Sequence, residues 1–353
     1  MKNAFIILGN GFTIDFLNHF FSFHTSKEKK IDVKNLFKFG DLISTPWNSP
    51  KPGFLSYRHC PSLWTLGARP SNSTEECMSL IEEIITCANM YFDFINESKN
   101  KDRLEKIDKK EPGIYLKAYY ELIAYLRQLF TYYNDEIDDN ALKESLDAMK
   151  WGWTEFFKAI KTKDKYSSVT FVTYNYDIWL ERILKLMEIP FSVNGFEDEE
   201  SIRIIKPHGS ISFVPSNQIP TYSITYKPSF EATDFNSLTL EYENLGSYSR
   251  GAIIPPAGDS NRISTPWSEE LKKNAISFSQ KINENDDVVI CGISYWHVDR
   301  REIDKLLLNL NENVNLTFVN PDPPKDLNAV LTSIFNNYIL QTSSDHVGGI
   351  LNG

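Results

Sequence analysis

The 353-residue chain contains only four cysteines, and no two of them form a C-x-x-C pair. Structural zinc sites with four cysteines are usually built from such pairs, so we expect no site of this kind. Sparse, irregularly spaced cysteines are typical of a reducing compartment. No window approaches the roughly 20 apolar residues of a membrane-spanning helix, and the apolar run at 4–8 is too short for a signal peptide. These absences predict a soluble cytoplasmic protein.

Negative charge exceeds positive charge, with 47 Asp and Glu residues against 37 Lys and Arg. The formal net charge is −10, and no dense basic run with interleaved aromatic residues occurs. The field of the whole molecule therefore repels nucleic acid and anionic membrane, and we expect neither as a direct partner. The chain also lacks internal repeats and low-complexity tracts. Its apolar fraction of 41% and charged fraction of 24% are those of a globular protein rather than a disordered one.

Short apolar runs predict the strands of a parallel sheet. These runs are 4–8, 169–173, 202–206, 287–294 and 315–320. They are apolar at successive positions, which suits strands that helices cover on both faces. Helical patterns follow three of them, beginning near Asp177, near Asp299 and near Lys325. The repetition predicts an α/β fold with a doubly wound, mostly parallel, Rossmann-like sheet.

A helical block separates the first predicted strand from the next one. Residues 75–165 carry apolar side chains at i, i+3, i+4 and i+7 in about three helices, the last over 141–160. We predict that the whole chain, 1–353, is a single domain. Its Rossmann-like core would comprise 1–74 and 166–340, with 75–165 as a helical insertion. Residues 215–250 mix turn residues with short strand-like pieces at 222–226 and 238–242, which predict a small β excursion after the third strand.

The stretch TFVTYNYDIW places Asn175 and Asp177 where a strand gives way to a helix. Either residue type can cap a following helix, and Asp177 stands directly before one. Asn175 lies two residues earlier, at the end of the strand. The carboxyl ends of strands form the ligand crevice of open α/β sheets. Two interpretations stay open, a helix cap at Asp177 and a ligand site that uses both residues.

Glycine or polar residues also end the other predicted strands. GNGFT contains Gly9 and Gly11, which suit either a tight turn or the close approach of a pyrophosphate to a helix N-terminus. KPHGS contains His208, which is explained either as a hydrogen-bonded turn residue or as a general base near neutral pH. The turns CGIS and FVNPD complete the set with Gly292, Ser294 and Asn320.

The ordered set GNGFT, TYNYD, HGS, GIS and VN resembles the sirtuin-like NAD-consuming domain, in particular its bacterial antiphage-defence branch. Sirtuins carry a G-A-G-x-S loop, a T-Q-N-x-D strand end, an H-G turn, a G-T-S turn and a strand that ends in Asn. The resemblance covers residues 1 to about 25 and 165 to about 340. Asn10 replaces the small alanine of the family, and Tyr174 replaces its glutamine.

The resemblance implies an NAD site in which two residues take part in the chemistry. Asn175 would hold the nicotinamide-side ribose or a catalytic water, and His208 would be the general base. Asp177 would help to bind the carboxamide. The other contacts to NAD would come from Gly9, Asn10, Gly11 and Thr13 at the phosphates, Gly292 and Ser294 at the adenosine-side phosphate and ribose, and Asn320 at the adenosine ribose.

The zinc cysteines of deacylating sirtuins are missing from this chain, and no peptide-binding strand motif follows HGS. The resemblance therefore favours metal-free hydrolysis of NAD to nicotinamide and ADP-ribose over deacylation, with a cyclic ADP-ribose product left open. It implies a regulated effector of antiphage defence, acting by NAD depletion in abortive infection. A homo-oligomer and a separate activating protein, a HerA-type ATPase or a short Argonaute, are expected by analogy. The alternative is a non-enzymatic module that binds NAD or ADP-ribose and regulates a partner.

Overall fold

The structure is a computed structural model, and it describes residues 1–25, 29–47, 53–96, 112–162, 165–197, 200–216, 224, 226, 234–248, 251–256 and 265–352. The chain divides into two compact units. The first unit comprises Met1–Lys29, Ile137–Pro207 and Ser268–Gly353. The second comprises Lys30–Glu136 and His208–Trp267. The predicted helical insertion, 75–165, is thus divided between the two units.

The described strands, in chain order, are β1 (Lys2–Leu8), β2 (Tyr166–Thr173), β3 (Ser192–Val193), β4 (Ile202–Ile205), β5 (Phe213–Pro215), β6 (Leu238–Leu240), β7 (Asp287–Cys291), β8 (Asn315–Val319) and β9 (Asn337–Gln341). Seven of them form one sheet in the first unit, in the order β3-β4-β2-β1-β7-β8-β9. Every neighbouring pair in this sheet is parallel. The five strands predicted from apolar runs are all present, and the predicted α/β fold with a Rossmann-like sheet is confirmed.

The strand order identifies the centre of the sheet. Without the two-residue edge strand β3, the order is that of dinucleotide-binding folds, 3-2-1-4-5-6. After β1 the chain continues to β2, which lies on the side of β1 away from β7. After β7 it continues to β8, which lies on the side of β7 away from β1. The carboxyl ends of the adjacent strands β1 and β7 therefore form the topological switch point, where open α/β sheets bind ligands.

The described helices, in chain order, are α1 (Asn10–Phe23), α2 (Pro61–Thr65), α3 (Thr74–Asn96), α4 (Ile114–Asp135), α5 (Asp139–Ala148), α6 (Gly152–Lys161), α7 (Trp179–Leu186), α8 (Pro266–Ser279), α9 (His297–Leu307) and α10 (Lys325–Ile334). Among the described residues, 3-10 helices cover Phe235–Ser237, Leu245–Ser247 and Ser344–Asn352. The helices that follow β2, β7 and β8 are α7, α9 and α10, as predicted. No helix in the described part of the chain is long and apolar enough to cross a membrane.

The single helix predicted over 141–160 was wrong, because this segment forms the two helices α5 and α6. The chain is extended at Trp151, whose indole nitrogen donates to Asp15 Oδ2 at 2.7 Å. Gly152 starts α6 directly against the backbone of Ser344, where a Cβ atom would lie 1.9 Å from the carbonyl oxygen. Tertiary contacts thus end one helix and start another within an uninterrupted apolar pattern.

Aromatic side chains of the first unit fix α1 in place. Phe12 meets Trp153 edge-on with ring centroids 5.2 Å apart, and Phe16 lies 5.6 Å from Trp151 and 5.7 Å from Trp179. All five residues are buried. Ring pairs of this kind add to the stabilisation from buried area alone. These buried ring contacts therefore fix the position of the first turn of α1, which follows β1 at the switch point.

The second unit is organised around the buried helix α4. The carboxylate of Glu121 accepts the backbone amides of Ser62 at 3.1 Å and Leu63 at 2.8 Å, and so holds the start of α2. Burial lowers the pKa of Arg127 to about 9. Its guanidinium donates to the carbonyl oxygens of Ile211, Leu245 and Tyr248. Strands β5 and β6 pair antiparallel in this unit, which is the predicted β excursion, and its strand-like piece at 222–226 lies largely outside the described residues.

Candidate functional site

Two glycine turns meet at the switch point. The amide of Gly9 donates to the carbonyl of Cys291 at 2.9 Å, and the amide of Gly11 donates to the carbonyl of Gly292 at 3.0 Å. A Cβ atom on Gly11 would lie 2.3 Å from Gly292 Cα, and Gly292 has a left-handed φ of +65°. The glycines are thus required by backbone packing. Because these two amides already donate within the protein, a phosphate at this edge would need other groups to hold it.

A buried polar network joins the end of β2 to the start of α1. The side-chain nitrogen Nδ2 of Asn175 donates to the carbonyl of Gly9 at 3.0 Å and to Thr13 Oγ1 at 3.0 Å. The Thr13 hydroxyl donates in turn to Asp177 Oδ2 at 2.8 Å. Asn175 is 8% exposed, Asp177 5% and Thr13 0%. The sequence predicted Gly9, Asn175 and Asp177 as site candidates at strand ends, and the resemblance to sirtuins added Thr13. The structure brings these four residues together.

Asp177 also organises the helix that follows it. Its Oδ1 accepts the backbone amide of Trp179, the first residue of α7, at 3.3 Å. Burial raises the pKa of Asp177, whereas the nearby Lys206 ammonium and the hydrogen bond from Thr13 lower it. The predicted helix cap at Asp177 was wrong, because the N-cap of α7 is Ile178 and carries no side-chain cap bond. One oxygen of the Asp177 carboxyl group instead accepts the first amide of α7, and the other belongs to the buried network.

A buried ion pair that was not predicted from the sequence lies beside this carboxyl group. Lys206 is fully buried, and its ammonium donates to Glu181 Oε1 at 2.7 Å and to the backbone carbonyl of Asp177 at 2.5 Å. Glu181 Oε2 is buried with no hydrogen-bond partner in the described structure. A lysine after a strand and a glutamate on an amphipathic helix are usually exposed, so nothing in their spacing indicated the pair.

The turn after β7 is held by a residue from the end of β8. Asn320 donates its side-chain amide to the carbonyl of Ile293 at 3.2 Å, and its Oδ1 accepts the amide of Asp322 at 3.0 Å. Both hydrogen bonds are made within the protein, and they hold the turns that follow β7 and β8. Ser294, in the same turn, and Asn10, at the start of α1, have exposed side chains at the carboxyl edge of the sheet. These two residues are therefore better placed to meet a ligand than Asn320.

His208 belongs to the second unit. It is 1% exposed, and its carbonyl accepts the amide of Ile254 at 3.0 Å. Gly209 has a left-handed φ of +82°, and a Cβ atom there would lie 1.8 Å from the carbonyl oxygen of Ala252. The glycine is thus required by a close backbone contact next to the histidine. The predicted role of His208 as general base stays a prediction.

The first unit is that of an α/β protein with a Rossmann-like sheet and a buried polar network at its switch-point edge. Comparison with protein-family models finds no match to this chain, and comparison with curated proteins finds none either. Within the described ranges, no three His, Cys, Asp or Glu side chains are grouped to hold a metal ion. A Rossmann-like sheet alone does not define a function, which depends on the residues of the site.

Proposed function

We propose that the chain is an NAD glycohydrolase, which uses water to cleave NAD to nicotinamide, ADP-ribose and a proton. The observation that carries this proposal is the strand order 4-2-1-7-8-9, which matches the order of dinucleotide-binding sheets. The glycine turns of Gly9 and Gly292 lie at its switch point, and Asn175 lies at the end of the neighbouring strand. A dinucleotide bound across this edge of the sheet would reach both the glycine turns and Asn175.

The reaction makes modest demands on the protein. The bond between nicotinamide and ribose is activated by its cationic leaving group, and the transition state resembles an oxocarbenium ion. The protein must position the ribose and one water molecule. Both amide hydrogens of Asn175 are engaged, so its Oδ1 is the atom that would accept a hydrogen bond from a ribose hydroxyl or from that water. The role of general base falls to His208 by the resemblance to sirtuins alone.

A second candidate is a module that binds NAD or ADP-ribose without turnover and regulates a partner. One observation favours it: the amides of Gly9 and Gly11 and the side chains of Asn175 and Asn320 are already bonded within the protein. A site built this way has fewer groups left to stabilise a transition state. Binding without cleavage would leave NAD intact while raising the melting temperature.

The biological setting of the proposal follows from the sirtuin resemblance alone. By this resemblance, the protein is a cytoplasmic effector of antiphage defence that depletes NAD when it is activated. Because a constantly active NAD hydrolase would kill its host, the proposal includes control by homo-oligomerisation or by a separate protein, such as a HerA-type ATPase or a short Argonaute.

The proposal is tested by incubating the purified chain with NAD, alone and with the protein encoded beside it, and by separating nicotinamide, ADP-ribose and cyclic ADP-ribose chromatographically. Asn175→Ala and His208→Ala should each reduce nicotinamide release by about a hundredfold or more. His346→Ala, at an exposed position, serves as the control. Full activity in both site variants would contradict the assignment. Intact NAD together with a raised melting temperature would support the second candidate.

A further inference from the structure

The hydroxyl of Thr13 is the central group of the buried network. It accepts a hydrogen bond from Asn175 Nδ2 at 3.0 Å and donates one to Asp177 Oδ2 at 2.8 Å. Thr13 is 0% exposed. The family resemblance implies a role for this residue at the phosphates of NAD, but its side chain has no accessible surface with which to make that contact.

The directions of these hydrogen bonds follow from the chemistry of the groups. The carbonyl oxygen of Gly9 can only accept, so the Asn175 atom 3.0 Å from it must be the nitrogen. The Thr13 hydroxyl has a single hydrogen, which it donates to the carboxyl group of Asp177. Its lone pairs are therefore left to accept the second amide hydrogen of Asn175. The network admits one orientation of the Asn175 amide, with Oδ1 as its remaining polar atom.

We propose that Thr13 is a positioning residue, which acts through Asn175 rather than on the ligand. Its hydroxyl, oriented by Asp177, holds the Asn175 amide so that Oδ1 is presented as an acceptor for a ribose hydroxyl. The identity of this ligand rests on the proposed function, whereas the network does not. A site that presents an acceptor on a largely buried side chain discriminates strongly against a ligand that lacks the matching hydroxyl, because the acceptor is then left unpaired in the complex.

The chain offers a matched set of threonine variants for the test. Thr13→Val removes the hydroxyl with little change of shape, and Thr13→Ser restores it. Thr154→Val is the control, because Thr154 is 1% exposed and its hydroxyl is buried without a hydrogen-bond partner in the described structure. Thermal unfolding of each variant establishes that it is folded.

The first readout is kcat/KM for NAD and for an NAD analogue that lacks a hydroxyl on the nicotinamide-side ribose. Thr13→Val should lower kcat/KM for NAD by about tenfold to a hundredfold, the usual effect of misplacing one reacting group. It should change kcat/KM for the analogue much less, so that the ratio of the two kcat/KM values falls towards one. Thr13→Ser should recover most of the discrimination, and Thr154→Val should retain it. Equal losses on both substrates would overturn the inference.

A double-mutant cycle separates action through Asn175 from action on the ligand. In the Asn175→Ala background, Thr13→Val should cause no further loss of kcat/KM, because the group that it positions is already absent. An additive loss would overturn the inference, since Thr13 would then act independently of Asn175.

A further readout needs no ligand. In protein labelled with ¹⁵N at asparagine only, the side-chain amide signals of Asn175 are assigned by their disappearance in Asn175→Ala. Thr13→Val should shift these signals and speed their hydrogen exchange, whereas Thr13→Ser should not. If the wild-type chain neither cleaves NAD nor binds ADP-ribose, the proposed function fails, and these signals still decide the role of Thr13. Unchanged Asn175 signals in Thr13→Val would overturn it.

Discussion

Replacing Lys206 by methionine should destabilise the first unit more than most single substitutions. The side chain is fully buried, and its ammonium donates to Glu181 Oε1 at 2.7 Å and to the carbonyl of Asp177 at 2.5 Å. Methionine has a similar volume but no charge. The variant would therefore leave a buried carboxylate without its cation and a buried carbonyl without its donor.

The size of the effect follows from these contacts. At 2.7 Å and an effective dielectric constant of about 20, the Coulomb attraction between the Lys206 and Glu181 charges is about 6 kcal/mol. Removal of the lysine also relieves its own desolvation, which offsets several kcal/mol. The lost hydrogen bond to Asp177 adds about 1 kcal/mol. We expect a net loss of about 3–5 kcal/mol in the free energy of unfolding, as for other broken buried pairs.

Urea unfolding measures this loss as a lower midpoint at an unchanged m value. The double variant Lys206→Met with Glu181→Leu should recover all but about 1 kcal/mol, because it also removes the orphaned carboxylate. A single-variant loss below about 1 kcal/mol would refute the reasoning. Additive losses in the double variant would refute it equally, since they would mean that unpaired charge is not the cause.

The pH dependence gives a second check on the same variant. Burial raises the pKa of Asp177 and Lys206 lowers it, so the pKa of Asp177 should rise further in Lys206→Met. A carboxyl group with a raised folded-state pKa loses stability as pH rises from its unfolded pKa, about 3.9, through its folded pKa. The penalty of Lys206→Met should therefore be smaller near pH 5 than at pH 7. Equal penalties at both pH values would contradict this.

Three further predictions concern other parts of the chain. Gly292→Ala should lower the melting temperature sharply, because the new Cβ atom would lie 2.3 Å from Gly11 Cα at a left-handed φ, whereas Gly246→Ala, where no atom lies within 4 Å, should not. Burial raises the pKa of Asp287, but hydrogen bonds from Tyr166 and Asn315 and the nearby Lys165 and Lys2 outweigh it, so the pKa lies below its usual value. The ionised carboxyl group of Asp287 therefore stabilises the fold above about pH 4, and this stabilisation is lost as pH falls through the folded-state pKa. In urea unfolding, the free energy of unfolding of Asp287→Asn should lie below that of the wild type at neutral pH, and the difference should shrink towards about pH 3. Arg127→Met should cost about 3 kcal/mol in urea unfolding, because the buried carbonyl of Ile211 loses its donor and the carbonyls of Leu245 and Tyr248 each lose one of two donors. An unchanged midpoint would contradict the role assigned to Arg127.

The central strands of the sheet were predictable because burial on both faces requires continuous apolar runs. Strand β9 was missed for the opposite reason: it lies at the edge of the sheet, where Ile339 is 59% exposed and the sequence NYILQ is half polar. The break between α5 and α6 was missed because its cause, the contact of Gly152 with Ser344, lies far along the chain. Apolar periodicity carries no information about contacts of that kind.

The candidate site was predictable to the extent that it consists of residues at strand ends. Asn175 and Asp177 stood out because polar side chains followed a buried strand, and parallel strands place their carboxyl ends at one edge. The ion pair of Lys206 and Glu181 did not stand out, since each residue alone looks solvent-exposed. The burial of Thr13 was equally hidden, because it depends on how α1 packs above the sheet.

The position of β1 beside β7 has a consequence for folding. Ala4 pairs with Asp287, and Leu8 pairs with Cys291, so the centre of the sheet joins segments that are 283 residues apart in the sequence. Parallel pairing over such a separation carries a high entropic cost of loop closure and is intrinsically slow. The contact between the two glycine turns can form only after β7 has been synthesised. We therefore expect the edge of β1 that pairs with β7 to remain unpaired during translation until β7 is available. The switch-point edge should then be among the last parts of the first unit to form.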